Sequence, residues 1–430
     1  MFKLFSENRN FRSLLFFISF GGVGRGMFSI FMMWAIHATF QNPIYTGITG
    51  FMFSAPLVAS VVIGPFVDRW DKIKVFRIVE LTKFSAVTLI FLFQVFFYPT
   101  IWLLFPAIFT FSIASLFGSP AFTAFLPRVV TGEDLVKANA LINITGITAG
   151  LGIMAGLFLL TAREAGFAWI YGINAAVLLI AVLFSAFLRN PTVTDEESNE
   201  ETNRESFVPK DKPEKSPIKA YLNELKTGLS FVKAGVMLPL ISATVSMGFF
   251  SNIAYVNFPR FAEIHLGSAT GYILFSALAL TGSMIGSIIC RAVEAKYSLA
   301  KIFIGGFVVT GIIRILFVHV LPGHRTGGIL LFVLYVGFAS AIILFYQVVI
   351  QKLPPKNLIS RVATANTSLS AIATALGALA GGVLGAILEV NTVFIIQGAS
   401  YVVIGMLLCF SKQVRSLPES SELEAQLLDG

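Results

Sequence analysis

The spacing of its charges leaves this chain the fewest options. Apolar runs of about 20 residues recur along it, and most of the Lys, Arg, Asp and Glu fall in the stretches between them. Thr46 to Val62 shows the pattern, with seventeen residues free of charge and then Asp68, Arg69, Asp71, Lys72 and Lys74 in quick succession. Such runs match a bilayer, where every backbone N–H and C=O must be satisfied within the protein. They are continuous rather than alternating at period two, which selects helices over a barrel of strands. Composition agrees: 13% of residues are charged, against roughly 25% in soluble domains. The net charge of +8 is spread over alternate short loops, so it reads as an orientation signal and not as a nucleic-acid surface.

Twelve membrane helices fit, at 12–36, 45–67, 75–97, 100–122, 137–160, 165–188, 236–261, 268–290, 299–320, 327–350, 363–387 and 392–411. The basic loops fall on one side, which places both termini in the cytoplasm, while Trp34, Tyr45, Tyr98, Trp102, Trp169 and Tyr171 mark the opposite boundary. Lys3, Arg9 and Arg12 precede the first run like a signal peptide, but no small-residue cleavage site follows, and an uncleaved helix is expected. The expected organisation is a half at 1–190, a polar, Pro-containing linker at 191–235 with an amphipathic surface helix, a half at 236–411 and a tail at 412–430. Cys290 and Cys409 read as packed thiols near cytoplasmic helix ends.

The two halves repeat each other. Thr46-Gly47 recurs as Thr270-Gly271, Gly64 and Arg69 as Gly286 and Arg291, and Leu126-Pro127 precedes Ala138-Asn139 as Leu353-Pro354 precedes Ala365-Asn366. The predicted fold class is therefore an all-α integral membrane protein, twelve helices in two six-helix pseudo-repeats. Gly64, Asp68, Arg69, Lys72 and Lys74 resemble the signature loop after the second helix of the major facilitator superfamily. Asp71 stands where that family often has a second Gly, and the form Asp68-Arg69-Trp70-Asp71-Lys72 resembles its macrolide-efflux, drug:proton antiporter branch. The stretch from Leu126 to Leu141 resembles the loop before the fifth helix in the macrolide-efflux and lysophospholipid-transporter branches. The resemblance implies alternating access around a substrate bound between the halves. It also implies export, though the Gly-Pro common in the fifth helix of drug antiporters is absent between Pro127 and Pro191.

Arg25 is the leading candidate for ligand contact, because it lies in the middle of the first run and a charge there must face a cavity or a partner. Its guanidinium suits an anionic or zwitterionic group; a structural pair with an internal carboxylate is the other reading. Asn143, Asn252, Tyr255, Asn257 and Gln347 are further cavity candidates, or helix-to-helix hydrogen bonds. Glu80 and Lys83 share a helix face and read as a local ion pair, or Glu80, like Asp68, as a proton-coupling carboxylate. Arg314 reads as snorkelling toward the outer surface. Glycines at 146, 150, 152 and 156, and at 377, 381, 382 and 385, make faces on which helices touch and slide. The four His show no metal-ligand spacing, and no nucleophile elbow or phosphate loop is present, so neither an enzyme nor a cofactor or metal is expected.

The functional expectation is a monomeric, non-enzymatic transporter of a bacterial plasma membrane, its only partners a small-molecule cargo, protons and membrane lipid. It would export an amphiphile, either a drug or an anionic or zwitterionic metabolite such as a siderophore or metallophore. A lysophospholipid flippase of the same fold is the alternative, and a non-transporting receptor a third reading.

Overall fold

The computed structural model describes residues 5, 6, 8–60, 63, 67, 69–98, 100–130, 134–162, 166–190, 237–294, 296–355 and 358–417. The linker with its surface helix and the last residues of the tail lie outside these. The first half holds α1 (Arg9–Phe40), α2 (Pro43–Ser54, prolonged by a 3-10 turn at Ala55–Ala59), α3 (Lys72–Phe96), α4 (Ile101–Val129), α5 (Asp134–Ala162) and α6 (Phe167–Ala186). The second holds α7 (Met237–Val256), α8 (Phe258–Leu266), α9 (Ala269–Glu294), α10 (Leu299–Val320), α11 (Arg325–Lys352), α12 (Ile359–Ile387), α13 (Val390–Phe410) and a last turn, α14 (Lys412–Arg415). Ten of these are long and apolar enough to cross a membrane. The shorter apolar stretch Pro43–Ala59 and the 29-residue α5 bring the spans to twelve.

The helix ends follow from their capping residues. Asn8 accepts the Phe11 N–H, and Asn42 accepts the Ile44 N–H with Pro43 at the first helical position. The turn between α1 and α2 is made by Gln41 in the left-handed region, φ 49°, whose N–H returns to the His37 carbonyl. Two ends differ from the sequence expectation. The fourth span does not stop at 122 but runs through Pro127 to Val129, because a proline near the last turn removes one hydrogen bond without ending the helix. The seventh span, expected whole over 236–261, breaks at Asn257, and Pro259 opens the separate α8 in the first turn, where its missing N–H has no partner to lose.

The repeat seen in the sequence is visible in the packing. The third helix of each half lies against the sixth and the fourth, α3 on α6 and α4, α10 on α13 and α11. Between the halves, α2 packs on α12 and α5 on α9, so the second helix of each half meets the fifth of the other. Ala138 and Ala365, which occupy equivalent places, are both fully buried.

Candidate transport cavity

The halves are sealed together at the end of the bundle where α1 finishes. Gly47 of α2 faces Gly382 of α12 so closely that a Cβ on Gly47 would fall 2.6 Å from the Gly382 Cα, and Gly50 is packed against Val256 and Ala378. Toward the other end they part around a cavity of about 650 Å³. Its first-half wall comes from α1 (Ile18, Gly22, Arg25, Ile30), α3 (Val79, Glu80, Lys83), α4 (Ser115, Ser119, Phe122) and α5 (Ile142, Gly150, Ile153). The second half adds Leu280, Ser283 and Met284 from α9. All three charges on this wall therefore belong to the first half.

Arg25 is exposed on that wall and has no hydrogen-bond or ion-pair partner among the described residues. The local sequence explains its position. Gly24 and Gly26 let α1 lie close to Leu178 of α6 and Ile153 of α5, and the side chain between them is left facing the gap. Glu80 and Lys83, three apart on α3, are ion-paired through Glu80 Oε1 and both buried, with the Lys83 Nζ 6.0 Å from the centre of the Phe111 ring. The bare face of Gly21 makes room for the carboxylate, whose Oε2 has no partner among the described residues. With Arg25, Lys83 and Glu80 ionised the wall carries a net positive charge.

The other candidates lie elsewhere. The Asn252 amide donates to the Gly248 carbonyl of its own helix at 3.2 Å, and Tyr255 and Gln347 are exposed but are not part of this wall. Asn257 is buried and spends its amide hydrogens on the carbonyls of Ile253 at 2.8 Å and Gly381 at 2.7 Å, which is helix-to-helix bonding. The side chain of Asn143 lies outside the described residues, as do Gly64 and Asp68. Of the rest of the hinge loop, Arg69 and Lys74 are exposed, while Lys72 is buried with Nζ donating to the carbonyls of Val67 at 3.0 Å and Trp70 at 2.9 Å.

Sequence reasoning missed three residues. Asp71 caps α3 by accepting the Lys74 N–H at 2.9 Å and takes the Asn190 amide at 3.0 Å; these bonds, the backbone one foremost, hold its carboxyl below the usual range. The departure from glycine at this position was the available signal. Glu263 bridges from α8 to α1, and nothing in the local pattern distinguishes it from a solvated acid. Arg314 does not snorkel: it is buried, with Nε donating to Gln397 Oε1 at 2.9 Å and its guanidinium 4.4 Å from the ring centres of both Tyr335 and Phe394. The aromatics at 317, 335 and 394 meet only in three dimensions, so cation–π contact was not readable beforehand. Cys290 and Cys409 are in no disulfide among the described residues, and Cys409 is exposed at the end of α13.

A twelve-helix chain in two halves around a cavity open between them is the architecture of a membrane transporter. Residues 14–378 match the sequence profile of the Major Facilitator Superfamily, and the chain belongs to that family. Its structure is similar to that of the nucleoside transporter NupG, with a TM-score of 0.72 at 15% identity, covering 94% of this chain and 100% of the other. It is also similar to a POT family transporter in complex with a thioalcohol-conjugated peptide (0.67, 14%, 94% and 96%). A third similar structure is a bacterial homolog of the human lysosomal transporter Spinster in an inward-facing, unoccupied conformation (0.61, 13%, 92% and 93%). At these identities the likeness is one of fold. Comparison with curated proteins found no match.

Proposed function

We propose that this transporter exports a small amphiphilic molecule carrying an anionic or zwitterionic group from the cytoplasm of a bacterial cell, by alternating access coupled to protons. The observation that carries the cargo class is Arg25, a guanidinium without a described partner, halfway along α1 on the wall of the cavity between the halves. A charge at that depth costs about 2.5–3.5 kcal/mol even on a lenient insertion scale, and a bound carboxylate or phosphate would offset that cost while using the planar fork. The apolar remainder of the wall, Ile18, Ile30, Phe122, Leu280 and Met284 among it, suits the rest of an amphiphile. The basic loops favour the open end as the cytoplasmic one. Glu80, and Asp68 in the hinge loop, are the candidate proton carriers. Export and the macrolide-efflux affinity rest on the resemblance of the hinge loop.

Comparing metabolites in cells and medium, with and without the protein, identifies the cargo: an anionic or zwitterionic amphiphile should accumulate inside cells that lack it. With that cargo, Arg25→Ala should raise the apparent KM at least about ten-fold, and Arg25→Lys should restore part of the loss, since an ammonium lacks the bidentate geometry. Membrane abundance should stay normal in both variants. Unchanged transport at normal abundance would refute the assignment, and a fall in abundance whatever the cargo would make Arg25 a structural residue.

A further inference from the structure

Between described residues, every hydrogen bond that joins the two halves ends on one side chain. Glu263, on α8, has Oε2 2.7 Å from His37 Nε2 and Oε1 3.4 Å from Gln41 Nε2, both at the end of α1. The other described contacts here include aromatic stacking and close glycine packing. Trp34 stacks on Tyr272 with ring centres 5.8 Å apart, and the glycine faces of α2 and α12 meet beside it.

α8 is itself held to the second half at three points. Asn257, just before it, donates to the Gly381 carbonyl, Arg260 Nη1 donates to the Gly385 carbonyl at 2.5 Å, and His265 Nε2 lies 2.7 Å from Asn391 Oδ1. The short helix is thus a bracket fixed to α12 and α13 that packs on the first half through Ala262 and Phe258 and whose described hydrogen bonds to it come from a single carboxylate. Glycine and aromatic surfaces hold this seam by close packing, without directional bonds. A hydrogen bond to a buried donor is directional and costs its full desolvation when broken in place. His37 is buried while the Glu263 side chain is 40% exposed, so losing Glu263 strands an imidazole in the sealed state and nothing in a parted state, where water reaches both.

We propose that Glu263 is the gating residue of the transport cycle: through His37 and Gln41 it holds the sealed end shut and so sets the balance between the two access states. The inference is independent of the cargo. It concerns the end opposite the Arg25 cavity, and the direction of transport does not enter it.

The test uses the purified full-length chain in detergent, with Cys290→Ser and Cys409→Ser and one reporter thiol reacted with a maleimide. Val256→Cys reports on the sealed end, where Val256 is 1% exposed against Gly50 and Gly381; Ser119→Cys reports on the cavity. Glu263→Ala should speed labelling at 256 about ten-fold or more, in line with the worth of a hydrogen bond to a charged group, and slow it at 119. His37→Phe, which removes the buried donor and leaves the half-exposed carboxylate to water, should move both reporters in the same directions by less. Glu263→Gln retains an acceptor and should fall between. Opposite changes at the two reporters are the signature of a shifted balance. No change at either, or faster labelling at both as general loosening would give, overturns the proposal.

Discussion

Lys83 and Arg314 are cations inside the bundle that survive there by different means. Lys83 has a carboxylate one turn away on its own helix, and the pair is buried as a neutral unit between α1, α3 and α4. Arg314 has no carboxylate within ion-pair distance among the described residues and is held by three aromatic rings and the Gln397 amide, which in turn donates to the hydroxyls of Tyr335 at 2.8 Å and Tyr401 at 3.2 Å. The difference fixes what substitution should do. Removing one member of a buried pair strands the other at a cost of about 3–5 kcal/mol, whereas removing both charges is close to neutral. Lys83→Met should therefore lower the yield of folded protein sharply, and adding Glu80→Gln should restore most of it. Detergent size-exclusion profiles of the two variants side by side check this; equal yields would mean that the carboxylate finds water or a proton when Lys83 is gone.

Among the elements, α3 shows how a loop charge becomes structural. Asp71 precedes the first turn, accepts a backbone N–H from it, and reaches Asn190 beyond the end of α6, so one carboxylate orders the start of α3 and its contact with the neighbouring helix. Asp71→Ala should cost about 1 kcal/mol, the usual worth of an N-cap. Its folded-state pKa is depressed, so its contribution is fully present above the ordinary carboxylate value of about 3.9 and is lost as pH falls through the lower folded value. Melting temperatures of wild type and Asp71→Ala should therefore converge in acid and separate at neutral pH; a constant gap would contradict the capping role. α8 shows the converse, a separate element created where Pro259 interrupts an apolar run.

At the scale of the whole molecule, the seams α2–α12 and α5–α9 are related by the repeat, and rocking of the halves needs one end to part while the other closes. A Cβ placed on Gly50 would lie 3.1 Å from the Ala378 Cβ, a little inside the 3.5–4.5 Å of a disulfide, and 2.4 Å from the Val256 Cγ1, which must turn aside to admit it. Gly50→Cys with Ala378→Cys, in a chain lacking Cys290 and Cys409, should cross-link the sealed end on oxidation. Transport should then stop and return on reduction; full transport by the oxidised, cross-linked chain would show that this seam never opens. Twelve spans and two similar halves were legible from the chain alone, because a bilayer forces about 20 apolar residues into each crossing and a duplicated half keeps its landmarks, Thr46-Gly47 with Thr270-Gly271 among them. Arg25 was legible as a charge in mid-span for the same reason. What surrounds each charge was not, since a partner 226 residues away, as Glu263 is from His37, or a cage drawn from three helices, as around Arg314, leaves no local pattern. The sequence by itself determined which segments cross the membrane, through the cost of exposing backbone and charge to lipid; only the tertiary structure decided which side chains meet, because that depends on how the helices pack.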